Sequence, residues 1–115
     1  MTPRPKENAV RSEPYRRLVA SLPCIVCGVV GWSQCAHPNT GKGMGVKTSD
    51  VESFPLCHEG SPNRCHQRFD QGVMFTKAQR REIEPIYANL TRAHLRALAA
   101  NDAGVRRVVE KVIGL

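Results

Sequence analysis

Aromatic side chains are scarce in this chain: one Trp, two Tyr and three Phe serve 115 residues. Long apolar runs are also missing, and nothing approaches the ~18 consecutive apolar residues that a membrane-spanning helix needs. Acidic residues are in the minority, ten against seventeen Lys and Arg. No internal repeat is visible. These shortages bound the protein. A chain of this length has room for one domain with a thin core, and small domains often need a disulfide, a metal or a partner chain to hold them. Apolar residues reach 41%, but eight prolines and nine glycines interrupt them, so apolar burial alone is not expected to hold the fold.

Against that background five cysteines require an explanation. The stretch from Leu18 to Trp32, preceded by Arg16 and Arg17, superficially resembles a signal peptide. Pro23, Cys24 and Cys27 break its apolar run, and no small-x-small cleavage site follows cleanly. The expectation is a cytoplasmic protein with no membrane segment and with reduced cysteines, for which Cys-x-x-Cys spacing signals metal or redox chemistry. The net charge of +7 and pI near 9.6 suit a polyanionic partner, since neutralising phosphates releases counterions. A merely soluble basic surface explains the same charge equally well.

Residues 1 to 11 read as a flexible basic arm, and residues 12 to 115 as a single domain. Ser12 is placed to cap a short helix that ends at Leu22-Pro23. A turn-rich region follows, with a Gly-rich stretch from Thr40 to Lys47. Apolar pieces near Cys35-Ala36 and Phe54-Leu56 are suited to pair as an antiparallel ribbon. After Cys65 the pattern is helical as far as Gly72. Thr76 and Gln79 form a capping box that opens a helix with Ile83, Ile86, Tyr87, Leu90, His94, Leu95 and Leu98 on one stripe. Pro85 is expected to kink or restart it. Asp102 caps a last helix bearing Val105, Val108, Val109, Val112 and Ile113 at helical spacing.

The pair Cys24 and Cys27 forms a tight knuckle able to present two thiolates to one tetrahedral ion. Cys57 and Cys65 supply a second pair across an unusually wide gap, in which Gly60 and Pro62 favour a turn. The expectation is a structural zinc on Cys24, Cys27, Cys57 and Cys65, with His58 the alternative to Cys65. Cys35 is left over as a buried small hydrophobe beside Ala36. A thioredoxin-like redox pair at Cys24 and Cys27 competes with zinc, but it needs a βαβ context that the chain does not supply.

Further features carry chemistry. His37 follows the first apolar piece, Asp50 precedes the second, and His66 and Asp70 stand at i, i+4, on one helix face, close enough to share a divalent ion. Each has a bland explanation when taken alone. Their order is more specific: a cysteine knuckle, a strand ending in His, a Gly-rich loop, Asp, a strand ending in Cys, then Cys-His-x-x-x-Asp. Over about residues 18 to 72 the chain resembles the HNH (ββα-metal) endonuclease superfamily, and most closely the phage and prophage YbcO-like group. Leu22-Pro23-Cys24-Ile25-Val26-Cys27, Cys35-Ala36-His37, Gly43 to Asp50, Phe54-Pro55-Leu56-Cys57 and Cys65 to Asp70 carry the resemblance.

The resemblance implies a small α+β fold with a zinc-stapled ββα-metal core, around which the helices read over residues 76 to 115, outside the match, are expected to pack. It also implies divalent-metal-dependent hydrolysis of DNA phosphodiesters. His37 becomes the general base, and Asp50 takes the family's middle Asn position, which fixes the loop or orients the base. His66 and Asp70 hold Mg²⁺ or Mn²⁺, the harder carboxylate favouring these ions over zinc. Ala36 departs from the pattern, since many members have a metal ligand there. Lys42, Lys47, Arg64 and Arg68 would contact DNA phosphates, assisted by Arg4, Lys6 and Arg11 of the arm. The Gly-rich stretch lacks the ending of a P-loop and is assigned to turn geometry. A recombination or replication partner and the oligomeric state are left open. Two rivals stand beside the nuclease. One is a zinc-stabilised module that binds DNA without cutting it. The other is an assembly factor that docks through the Val105–Ile113 stripe, a role that loses its basis if the stripe is buried.

Overall fold

The structure, a computed structural model, describes residues 10–38 and 48–115. The arm's residues 1–9 and the whole Gly-rich stretch from residue 40 to residue 47, with Lys42 and Lys47, lie outside them. The chain forms a compact α+β domain in which a two-stranded antiparallel hairpin is flanked by helices. Helix α1 spans Glu13–Ala20, strand β1 Ser33–Ala36 and strand β2 Phe54–Cys57. Helices α2, α3 and α4 span Cys65–Asp70, Lys77–Ala99 and Ala103–Val112. A single 3₁₀ turn, Asp50–Glu52, leads into β2.

Local chemistry accounts for most boundaries. The Ser12 hydroxyl accepts the Tyr15 amide and starts α1, which ends two residues earlier than Leu22 because the Ser21 amide turns back onto Arg17 and Leu18. The Thr76–Gln79 capping box opens α3 and Asp102 caps α4, as the sequence indicates. Gly72, at φ +75, follows α2 in the left-handed conformation that glycine adopts most readily. The strands pair in the register Ser33–Cys57, Gln34–Leu56, Cys35–Pro55 and Ala36–Phe54.

Helix α3 is continuous through Pro85 and does not restart there. One expectation for it is corrected. Its buried stripe is Arg80, Glu84, Ala88, Thr91, Leu95 and Ala99, whereas Ile86, Leu90 and Leu98 are exposed. Small Ala88, Thr91 and Ala99 let the helix approach the hairpin and α4 closely, which large side chains at those positions would prevent.

The hairpin divides two cores. On one side Ala36, Phe54, Leu56 and Phe69 pack with Cys24, Cys57 and Cys65, and half-buried Ile83 and Tyr87 of α3 close over them. Phe54 meets Phe69 and Tyr87 edge-on, with ring centroids 5.7 and 5.4 Å apart. The other core joins Tyr15, Val19, Leu22, Leu95, Ala99 and Val109. The stripe of α4 packs into this second core, with Val109 buried and Val105, Val108, Val112 and Ile113 half-buried. The assembly-factor reading thereby loses its basis. Cys35, expected beside Ala36, is half-buried and packs on the second core, because neighbouring strand residues face opposite sides.

Candidate metal centre and histidine pairs

The knuckle is built by backbone geometry. The Cys24 amide donates to the Val29 carbonyl (3.0 Å), and the Gly28 amide to the Cys24 carbonyl (2.8 Å). Gly28 takes φ +80, which lets the chain reverse between them. The Ile25 amide then donates to the Pro55 carbonyl at 2.9 Å, tying the knuckle to β2, whose last residue is Cys57. Across the wide gap the buried Ser61 hydroxyl donates to the His58 carbonyl (2.7 Å) and accepts the Arg64 amide (3.0 Å). Arg64 adopts φ 47, and Cys65 opens α2 with its amide aimed at Cys57 Sγ, 3.3 Å away.

The outcome is that Sγ atoms of Cys24, Cys27, Cys57 and Cys65 all lie within 4.8 Å of one another. All four cysteines are free. Cys27 and Cys57 sulfurs stand 3.9 Å apart, far beyond a bond of about 2.05 Å. That spacing is close to the ~3.8 Å tetrahedron edge implied by Zn–S bonds of about 2.3 Å. His58 is not the fourth donor: its Nδ1 accepts the Gly60 amide at 2.9 Å and its ring leans on Trp32. Thiol ionisation within the cluster is uneven. Burial raises Cys27, but the Val29 amide, the Asn63 side chain and neighbouring thiols outweigh it and bring the group to about 7. Cys65 is pushed far up by burial, by the hydrogen bonds its thiol donates to Cys57 and Cys24, and by the negative charge of Cys24. Crowded thiols cannot all ionise without a cation among them, and a divalent ion bound by four sulfurs supplies that compensation.

His37 and Asp50 come together as the sequence order suggests. Asp50 is fully buried, and its Oδ1 lies 2.9 Å from His37 Nε2. Its Oδ2 accepts the Ser12 amide (2.7 Å) and Arg16 Nη1 (2.6 Å). Burial acts to raise the carboxyl, but these donors, with Arg11 nearby, prevail and hold it below its ordinary value. As an ionised acceptor, Asp50 fixes the His37 proton on Nε2 and leaves Nδ1 as the basic nitrogen. Val10 and Arg11, at the end of the expected arm, are pinned here too, by Ser49 and by the Thr48 carbonyl.

His66 Nε2 faces Asp70 Oδ2 at 3.4 Å, one helical turn away. Its Nδ1 lies 2.8 Å from Gln34 Oε1 on β1, a partner that no sequence motif pointed to. A lone exposed Gln on a strand carries no chemical signal; only the fold brings it to His66. Arg80 approaches Asp70 at 3.8 Å while stacking over Phe69 and pairing with Glu84. No hydrogen bond or ion pair among the described residues joins the His37 pair to the His66 pair. There the four cysteines are also the one group of three or more His, Cys, Asp or Glu donors within metal-binding distance. Arg64 and Arg68 are both exposed near the start of α2, Arg68 donating to the Asn63 carbonyl.

Fold and site together define a small α+β domain built around a four-cysteine cluster able to hold a metal ion. The chain belongs to the family described as "Protein of unknown function (DUF968)", whose model matches residues 1–98. No curated protein and no solved structure matches it.

Proposed function

We propose that this protein is a divalent-metal-dependent DNA endonuclease of the HNH type, with a structural zinc on Cys24, Cys27, Cys57 and Cys65. The observation that carries the reading is the matched state of two histidines. Each has one ring nitrogen committed to a side-chain oxygen, His37 Nε2 to Asp50 and His66 Nδ1 to Gln34, and so keeps a defined nitrogen for chemistry. His66 Nε2 and Asp70 Oδ2 stand side by side as two donors for Mg²⁺ or Mn²⁺. The ion, when bound, would offset charge developing on the scissile phosphate and its leaving oxygen.

His37 Nδ1 takes the proton of the attacking water, and Asp50 steadies the imidazolium that results, as a buried carboxylate does for a general base elsewhere. Arg16 and the Ser12 amide keep Asp50 ionised and prevent it from turning. Arg64 and Arg68 would hold neighbouring phosphates; Lys42 and Lys47 belong to the same proposal.

One set of observations favours the rival, a zinc-stabilised module that binds DNA without cutting it. Ala36 is buried where many HNH proteins carry a further ligand, and the Arg80 guanidinium competes for Asp70. Incubating the protein with supercoiled plasmid and Mg²⁺ or Mn²⁺ separates the two. Nicking that is lost in His37→Ala supports the nuclease. Equal nicking by both proteins refutes the mechanism, and a gel shift with no nicking establishes the rival.

A further inference from the structure

We propose that the Trp32–His58 ring pair is a ledge on which an unpaired nucleobase stacks, so that the protein's substrate is single-stranded or locally unpaired DNA. This rests on the DNA reading above and specifies which DNA. Trp32 is the chain's single tryptophan and it is 39% exposed, although tryptophan is on average highly buried. It is not loosely held. The His58 amide donates to the Trp32 carbonyl at 2.9 Å, adding one more rung beyond Ser33–Cys57, and the two rings lie 5.2 Å apart with planes 47° to one another.

The His58 ring is itself locked. The Gly60 amide donates to its Nδ1, and a Cβ at Gly60 would lie only 2.6 Å from its Cε1, so the backbone comes up flush against the imidazole. Ser61 then joins the His58 carbonyl to the Arg64 amide, and Arg64 is the one described non-glycine residue with positive φ. Its guanidinium makes no hydrogen bond or ion pair among the described residues and is available to a phosphate. The loop between Cys57 and Cys65 therefore carries the locked imidazole that meets Trp32 and, at its other end, an exposed cation, Arg64. Preorganisation of this kind lowers the ordering cost of binding.

The ledge is also well placed. Trp32 stands immediately before β1 and Gln34 is that strand's second residue, so with the His58 amide extending the pairing to Trp32 the two share a face. A stacked base would thus lie on the face of the hairpin from which Gln34 holds His66. In a regular duplex each base face is already covered by its neighbours, so the ledge has nothing to stack on. An unpaired base offers its face, and aromatic stacking of this sort is tolerant of sequence. Exposed Val26 and Val30 nearby would also fit an apolar protein partner, but a locked imidazole and an unpaired guanidinium match a nucleotide better.

The single tryptophan makes the test direct. Zinc-loaded protein is titrated, with no Mg²⁺ or Mn²⁺ added, with a short oligothymidylate, with an abasic strand of equal length, and with a blunt duplex, while Trp fluorescence is followed. Saturable quenching by the oligothymidylate and little by the other two is expected. Trp32→Ala should weaken oligothymidylate binding, read by anisotropy of a labelled strand, about tenfold or more, and duplex binding less than about twofold. Gly60→Ala, which displaces His58 and leaves Trp32 in place, should weaken it by a smaller factor. Equal quenching by the abasic strand, or unchanged affinity in a zinc-loaded Trp32→Ala, overturns the proposal. If Trp32→Ala fails to retain zinc, the three wild-type titrations decide alone. Nicking without base-dependent quenching removes the ledge and keeps the nuclease; quenching without nicking does the reverse.

Discussion

Removing the metal from the four-cysteine cluster tests this fold most directly, and the structure sets the size of the effect. The core on that side of the hairpin holds three large apolar side chains that are nearly fully buried, Phe54, Leu56 and Phe69. At about 2 kcal/mol each their burial supplies ~6 kcal/mol. The knuckle from Cys24 to Val29 and the loop from His58 to Arg64 lie outside helix and strand, about a dozen residues whose ordering costs ~1 kcal/mol or more apiece. The balance falls short by ~6 kcal/mol, and a structural zinc contributes about 10–16 kcal/mol at neutral pH. Chelation of the purified protein should therefore abolish the cooperative thermal transition or lower it by more than about 20 °C. Metal analysis should first find one zinc per chain, and added zinc should restore the transition. Cys65→Ser should behave like the chelated protein. Cys35→Ala, outside the cluster, should keep its zinc and lose only about 1 kcal/mol. A chelated protein that melts as before, or a Cys65→Ser protein that retains one zinc, would refute the reasoning.

Three other outcomes follow from named contacts. Asp50→Asn should cost about 2–3 kcal/mol near pH 7, read as a melting temperature lower by roughly 10 °C, since a buried ion pair with Arg16 is broken. Asp50 titrates below its ordinary value, so its contribution is complete above the unfolded carboxyl pKa of about 3.9 and is lost as pH falls through the folded value. The gap between wild type and variant should thus narrow below about pH 4, and a gap that stays constant there would contradict the assignment. Gln34→Ala should weaken Mn²⁺ binding about 10- to 100-fold in calorimetry while shifting stability by less than ~0.5 kcal/mol; unchanged affinity would mean that Gln34 does not orient His66. Leu95→Ala, at a fully buried position, should cost about 2–5 kcal/mol in denaturant, and Leu90→Ala, half exposed, within ~0.5 kcal/mol, the reverse order refuting the observed face of α3.

Much of this architecture was legible in the sequence where the controlling interaction is local. Ser12, Thr76 with Gln79, and Asp102 cap helices through atoms within three residues of themselves, and the four cysteines converge as their spacing suggests. The face of α3 was not legible. Ile86, Leu90 and Leu98 satisfy helical periodicity as well as the buried set does, and what decides between them is room for close approach at Ala88, Thr91 and Ala99. Polar partners brought in from elsewhere in the chain escaped as well. Gln34 meets His66 across 32 residues, and Arg16 meets Asp50 across 34. Neither pair leaves a local trace, because a side chain's partner across the fold depends on register and packing rather than on its neighbours.

The cysteine cluster and the two histidine pairs are mechanically joined, and this constrains how the protein can work. Cys57 ends β2 and Cys65 begins α2, so an ion shared by them would fix the distance between the strand and the helix. His66 is the next residue on α2, and its Nδ1 reaches Gln34, the β1 residue paired with Leu56 beside Cys57. The strand that holds Gln34 then ends one residue before His37, which Asp50 secures to α1 through Ser12 and Arg16. A loosened cluster would move α2 relative to β1 and break the Gln34–His66 bond first, since a hydrogen bond is lost over shifts of less than 1 Å that packed side chains can follow. His37 and Asp50 are held from the opposite core and would be disturbed later. Replacing zinc by a larger ion such as Cd²⁺, which keeps the cluster closed but lengthens its bonds to sulfur, should therefore weaken Mn²⁺ binding at His66 and Asp70 while the cooperative melt persists. An unchanged Mn²⁺ affinity would make the cluster a staple of the fold alone.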